Sequence, residues 1–266
     1  MPAVPRTAAL LVALAVGCLP ADPPGFQRDA GVAKKPKGAK RGDAGSGKRS
    51  LASSAASAKP KARLLDAGPL VDEPWSDDFN RDALGPDWNA TSDVWRIEDG
   101  RLCARGAKNH PVWLQRRLPK NARIAFDATS NSPEGDIKAE AWGDGMSSAA
   151  ANSYDDATSY LLVFGGWRNK LHVLARLNEH GSNRLEVRLV PGSEDPRTQP
   201  VVEGRSYHIE IERDDGRTVH FSVDDTEIHA FEDPAPLVGP GHEHFAFNDW
   251  DVPVCFDDLL ITPFED

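Results

Sequence analysis

From Trp75 onward the chain is built of short runs in which apolar and polar residues alternate, and this period of two narrows the fold more than any other feature. Tyr207, Ile209 and Ile211 alternate with His208, Glu210 and Glu212, and Val219, Phe221 and Val223 alternate with Thr218, His220 and Ser222. Successive side chains of a strand point to opposite faces, so each such run can bury one face and wet the other. Between these two runs lies Asp214-Asp215-Gly216, and Asp99-Gly100 separates 94–98 from 101–105; both carry residues that accept the positive φ of a tight hairpin. Further strands are expected at 76–79, 112–118, 123–130, 244–248 and 254–263, with two more inside Gly135 to Leu177. No stretch keeps a helical period. Roughly a dozen strands in about 190 residues suit two packed antiparallel sheets.

The first 65 residues are of a different material. They carry 12 Lys and Arg against 3 Asp and Glu, whereas residues 66–266 carry 19 against 38 and hold all seven Trp and all three Tyr. An acidic folded part argues against a nucleic-acid partner, because phosphate binding needs clustered Lys and Arg. Residues 1–17 place Arg6 before an apolar run from Ala8 to Val16, which is the layout of an export signal. The ending Ala15-Val16-Gly17-Cys18 resembles the bacterial lipobox. That resemblance implies a lipoprotein acylated at Cys18 and anchored in the membrane; with Leu19 next, it implies the outer membrane or cell surface. Ordinary signal cleavage beside an incidental cysteine is the alternative. Residues 18–70 form a basic Ala/Gly/Ser/Pro/Lys stretch with Phe26 as its one aromatic residue, expected to be a disordered tether. Its Lys34-Lys35-Pro36-Lys37 and Lys40-Arg41 runs suit anionic lipid or plain solvation. No apolar run reaches the ~18 residues of a spanning helix.

Four segments of the folded part, expected over 71–266, carry a resemblance: WSDDFNRDALGPDW, VWRIEDGRL, FGGWRNKLHV and DWDVPVCFDDLLITP. They resemble concanavalin A-like lectin/glucanase jelly rolls, in particular the bacterial laminin-G-like and 3-keto-disaccharide-hydrolase-like domains. The resemblance implies an all-β, antiparallel two-sheet jelly-roll sandwich in which the first and last strands pair, setting Asp77 to Phe79 beside Phe256 to Leu259. Such a fold hosts lectins, hydrolases and adhesive modules alike, so it does not choose a function.

Candidate chemistry concentrates in Glu134-Gly135-Asp136-Ile137-Lys138-Ala139-Glu140. Retaining hydrolases of this fold place two glutamates four apart on a strand, and retention needs carboxyls ~5 to 5.5 Å apart. Here Lys138 stands where the acid/base belongs and the second glutamate falls six residues on, ~20 Å away along a strand. Asp136 and Glu140, or residues the motif does not mark, remain as the catalytic alternative. A sugar-binding face is the other reading, since sugars stack on tryptophan and orient on polar groups. If the two strands of 135–177 are neighbours, one face is expected to carry Asp136, Lys138, Glu140, Trp142, His172 and Arg176, with Trp167, Arg168 and Asn169 in the adjoining loop.

Relatives of this fold often hold a structural calcium, and Asp77, Asp78, Asp257 and Asp258 are the candidate ligands; Asp249 and Asp251 form a second acidic cluster. His242-Glu243-His244 offers too few ligands for zinc and reads as an exposed strand edge. With Cys18 acylated, Cys103 and Cys255 remain, and export makes a disulfide between them the expectation, two small buried hydrophobes the alternative. No other cofactor is expected, and no nucleophile elbow, phosphate loop or dinucleotide fingerprint occurs. The expected function is a non-catalytic, carbohydrate-binding envelope lipoprotein whose partner is a glycan; the alternatives are a glycoside hydrolase and a structural protein-interaction module.

Overall fold

The computed structural model describes residues 68–265. The expected signal peptide 1–17, Cys18 and nearly all of the expected tether 18–70 lie outside the described residues. Pairing begins slightly before the expected boundary at 71: Leu70 bridges Arg117, whose N–H donates to the Pro69 carbonyl at 2.9 Å.

The described residues form β1 (Trp75–Asp77), β2 (Trp88–Ala90), β3 (Arg96–Glu98), β4 (Arg101–Ala104), β5 (Val112–Leu114), β6 (Ala122–Ser130), β7 (Ile137–Gly143), β8 (Tyr160–Gly165), β9 (Leu171–Arg176), β10 (Leu185–Arg188), β11 (Ser206–Arg213), β12 (Thr218–Val223), β13 (Thr226–Glu232), β14 (His244–Asn248) and β15 (Val254–Pro263). They make two antiparallel sheets. One runs β13-β12-β11-β6-β15-β4-β3 and the other β10-β9-β8-β7-β14-β5-β2. The long β15 pairs with β6 along one edge and with two strands along the other, Val254–Phe256 with β4 and Leu259–Ile261 with β1. Asp77 thus lies opposite Leu259, and the expected pairing of first and last strands is present. The β3–β4 hairpin turns at Asp99 (φ 51) and Gly100 (φ 72), both in the left-handed region that a two-residue turn of this kind requires.

The core lies between the two inner faces. Its centre is Phe247, which stacks on Phe256 with centroids 4.3 Å apart and meets Phe126 and Phe245 edge-on at 5.0 and 4.9 Å. Phe79 and Trp88 close the cluster at 6.2 and 5.7 Å. Edge-on and offset contacts of this kind add to the burial of the rings themselves.

Alternation along β7 breaks at one point. His244 pairs with Gly143 and Ala246 with Glu140, so Ala141 and Trp142 together oppose the single Phe245. This is a β-bulge, with Trp142 at φ 56. The extra residue swings the indole into the core, fully buried, where Nε1 donates to the Pro119 carbonyl at 3.0 Å and the Arg213 guanidinium lies 3.9 Å over the ring. Trp142 therefore does not share a face with Lys138 and Glu140, as strict alternation predicts.

The same correction applies to His172 and Arg176. Register places Lys138, Val163, Val173 and Glu186 in one cross-strand row, and Glu140, Leu161 and Ala175 in the next. These rows form the outer face of the second sheet, so His172 and Arg176 face the other way. His172 is fully buried and stacks on Phe164 at 4.2 Å. Burial pushes its imidazole down to about 3, so the ring is neutral. Nδ1 accepts from the Gly165 N–H, which leaves Nε2 to donate to the Gln199 carbonyl at 3.2 Å. Arg176 clamps the 233–235 segment through Asp233 at 2.6 Å and the Ala235 carbonyl at 2.7 Å.

Part of the outer face is roofed by the segment 144–159. Ala149, Tyr154 and Ala157 pack there on Leu161, Val163, Val173 and Ala175 as a second, smaller core. Glu140 is sealed beneath it, accepting from the Tyr154 hydroxyl at 2.9 Å, the Ser159 hydroxyl at 2.6 Å and Asn248 Nδ2 at 2.7 Å. Burial pushes the Glu140 carboxyl up to about 7 against those hydrogen bonds, which favour the charged form.

Cys103 and Cys255 are direct cross-strand partners on β4 and β15 and are joined by a disulfide, with Cα atoms 4.1 Å apart. The bridge closes a loop of 152 residues, which in the chain-entropy picture is worth about 5 kcal/mol. Two outcomes are expected. Replacing both cysteines by serine lowers the urea midpoint of unfolding, and reductant does the same to the natural chain; an unchanged midpoint would contradict the assignment. Glu140, raised from an ordinary 4.5 to about 7, keeps a proton in the folded state that the unfolded chain releases. Its contribution is therefore complete below the unfolded value and is lost as pH rises through the folded one. Across that window Glu140→Gln should gain about 3 kcal/mol relative to the natural chain; parallel stability curves for the two proteins would refute it.

Candidate functional site

Two loops leave the same end of the second sheet. β8 and β14 are both antiparallel to β7, so both deliver their C-terminal ends beside its N-terminal end. The β8 exit carries Trp167 and the β14 exit carries Trp250; the two strand ends are two strand spacings, ~10 Å, apart, with Lys138 of β7 and Asp136 just before that strand between them. The result is a groove of about 610 Å³ lined by these residues and by Asn109, Glu134, Arg168, Lys170, Glu179, His180, Arg188 and Asp251, among others.

The β8 exit is shaped by left-handed backbone. Gly165 begins it at φ 78, where an added Cβ would meet Val201 at 2.4 Å. Within the helical turn Gly166–Asn169, Trp167 (φ 53, ψ 49) and Arg168 (φ 60, ψ 51) are left-handed, as is Asn169 (φ 59). A left-handed residue with a side chain costs about 1–2 kcal/mol. Asn169 holds the turn in place: its Nδ2 donates to the carbonyls of Pro133 (3.0 Å) and Val201 (2.8 Å), and its Oδ1 accepts from the Val201 N–H (2.9 Å). Asn169, expected to touch ligand, is thus spent on anchoring the turn that presents Trp167 and Arg168. The Trp167 ring is fixed by the Arg184 guanidinium at 4.5 Å and by His180 edge-on at 5.8 Å. Trp250 is fixed likewise by Lys108 Nζ at 4.5 Å.

The floor is a buried charge cluster. Lys138 Nζ donates to Asn109 Oδ1 at 2.9 Å and forms an ion pair with Glu179. Both partners of the pair are nearly inaccessible, at 4% and 6% side-chain exposure, so the charges exist only because they compensate each other. Burial alone would lower the Lys138 ammonium, but Asp136 and Glu179 outweigh it and hold the group protonated. Burial pushes the Asp136 carboxyl up, partly offset by Lys138. Asp136, at φ 67, lines the groove, whereas Glu140 lies under Tyr154 and does not. The two carboxyls of the catalytic alternative thus occupy separate environments, and Lys138 is a hydrogen-bond donor with no lone pair to act as a base.

Three of the four aspartates named for calcium accept hydrogen bonds from the protein. Asp77 accepts from the Phe79 N–H (3.0 Å), twice from Arg81 (2.5 and 2.8 Å) and from Trp88 Nε1 (2.8 Å), which fills the acceptor sites of one carboxylate. Burial would raise its carboxyl, and the Arg81 and Trp88 hydrogen bonds reverse this and hold it low. Asp78 accepts from the Asn80 N–H and Asp257 from the Asp258 N–H. Asp257 lies opposite Asp127, and Asp77 opposite Leu259. Asp249 is fully buried and caps the Ala107 and Val252 N–H groups, and Asp251 pairs with Lys108 at 2.7 Å. Among the described residues, the one cluster with metal-ligand spacing is Glu98 with Cys103 and Cys255, whose sulfurs are spent on the disulfide. His244, read as an exposed edge, is buried and bonded through Nδ1 to the Leu114 carbonyl at 2.9 Å.

The structure thus brings together Asp136, Lys138, Trp167 and Arg168 of the expected site and sends Glu140, Trp142, Asn169, His172 and Arg176 elsewhere. Asn109, Glu179 and Trp250 join from loops remote in sequence. Trp250 carried a usable signal, an aromatic residue set between Asp249 and Asp251 where a strand ends; Asn109 and Glu179 carried none.

No protein-family profile and no curated protein sequence matches the chain. Among solved structures it is similar to a galectin-like-fold protein from Bacillus subtilis, at 13% identity and TM-score 0.48 over 74% of this chain and 96% of that one. It is also similar to the carbohydrate-binding module CBM66 from Bacillus subtilis, at 12% identity and TM-score 0.47 over 68% and 98%. A third likeness is to the alginate lyase Aly36B, at 10% identity and TM-score 0.42 over 75% and 100%. At such identities and TM-scores the likeness carries no argument about ligand or activity.

Proposed function

We propose that the domain is a carbohydrate-binding module that holds a glycan in the groove between Trp167 and Trp250 without transforming it. The observation that carries this reading is the pair of half-buried tryptophans, each fixed by a cation on one ring face, on either side of a polar floor. A sugar ring needs that combination: an aromatic face for its C–H groups and fixed donors and acceptors for its hydroxyls. Lys138 uses two of its three N–H donors on Asn109 and Glu179, and the third is left for a ligand oxygen. The reading without catalysis is supported by the same floor, in which Glu179 is paired with the protonated Lys138 and Asp136 is buried, whereas a retaining hydrolase needs two carboxyls facing each other across the sugar. Acylation at Cys18 would hold the module, and its glycan, at the cell envelope.

Trp167→Ala and Trp250→Ala should each leave the fold intact and weaken polysaccharide binding at least tenfold, measured by affinity electrophoresis or calorimetry. Retention of no polysaccharide by the natural chain would end the proposal. Release of reducing sugar, abolished by Glu140→Gln, would replace it with hydrolysis.

A further inference from the structure

The folded part is strongly acidic, yet the groove is rimmed by unpartnered cations. Of the 19 Lys and Arg among the described residues, 12 have a carboxylate within ion-pair distance. Of the seven that do not, Arg168, Lys170 and Arg188 line this one groove. All three are exposed. Their placement follows from the fold. Arg168 projects from the left-handed turn, and Lys170 follows it directly. The Leu189 N–H donates to the Lys170 carbonyl at 2.9 Å, while Arg188 lies opposite Leu171, so the end of β10 is tied beside the turn. On β10, Leu185 and Val187 pack on the inner core, which turns Arg188 to the outer face that carries Lys138.

The acidic residues of the groove do not cancel this rim. Glu179 is spent on Lys138 and Asp251 on Lys108, and Asp136 is buried at the floor, leaving Glu134 as the exposed carboxylate without an ion pair. In a domain with twice as many acids as bases, three adjacent cations left free of carboxylates are complementary to negative charge brought by something else.

We propose that the groove selects acidic polysaccharides, those carrying carboxylates or sulfates, with Arg168, Lys170 and Arg188 reading the anionic groups while Trp167 and Trp250 hold the sugar rings. The inference rests on the glycan-binding reading above and adds to it the class of glycan. Guanidinium groups suit this task because their planar fork meets a carboxylate or sulfate with two parallel N–H donors.

The test is calorimetry of the full-length chain with polygalacturonate, chondroitin sulfate, the neutral glucan laminarin and poly-glutamate, at low and high salt. The acidic polysaccharides should bind more tightly than laminarin and lose affinity with salt; preference for polygalacturonate or for chondroitin sulfate tells carboxylate from sulfate. The triple variant Arg168→Gln, Lys170→Gln, Arg188→Gln should weaken them on the order of tenfold, since each exposed ion pair is worth a fraction of a kcal/mol, and weaken laminarin distinctly less. Laminarin bound as tightly as the acidic polymers, or a triple variant that keeps its acidic ligand, would overturn the charge selection and leave glycan binding standing. Binding of no polysaccharide, or of poly-glutamate as tightly as any glycan, would overturn both.

Discussion

The outer face of the second sheet is organised by one contact, the buried ion pair between Lys138 and Glu179. Taking an ammonium and a carboxylate out of water costs several kcal/mol for each, and a pair survives burial only where geometry and further hydrogen bonds repay it. Here Asn109 accepts from the same ammonium and Asp136 lies within electrostatic reach, so four residues from three chain segments meet at one point. The loop following β9 is thereby drawn back across the sheet, where the Glu179 N–H also donates to the Tyr154 carbonyl of the roofing segment. Roof, floor and one wall of the groove are tied to a single lysine.

That arrangement gives the charged row of β7 a different meaning from the one its spacing suggests. Asp136, Lys138 and Glu140 read as a solvent-facing strand or as a damaged catalytic motif, and all three are buried. They form a polar second core in which each charge meets a specific partner, and only the end nearest the Trp167 turn opens to solvent. Glu140 shows the cost of this construction, since its carboxyl stays partly protonated near neutral pH in spite of three donors.

Strand alternation and the glycine-marked hairpin turns were legible in the sequence, because each depends on neighbours or on a period of two, while the pairing of first and last strands came from the family resemblance of four segments. What escaped depends on contacts between distant segments. Trp142 changes face because β14 offers one residue where β7 offers two, and nothing in β7 alone records that. His172 and Arg176 face inward because register with β8 sets them so. β13 went unread because its turn is Asp224-Asp225, at φ 47 and 62, with no glycine to mark it; aspartate tolerates that conformation by bonding its own backbone. Trp250, Glu179 and Asn109 reach the groove from loops whose spacing carries no period.

The left-handed turn after β8 has a thermodynamic consequence of its own. Three consecutive residues are held in a conformation they disfavour, and Asn169 holds them there with or without anything in the groove. The conformational entropy of that loop is therefore surrendered during folding, before any encounter. In the proposed reading, a ligand meeting Trp167 and Arg168 would find their backbone already in position, so association would proceed without a slow ordering step of the loop and the free energy of contact would be retained as affinity. The same rigidity limits repertoire: a surface fixed in this way can favour one ring geometry, and cannot remould itself around many.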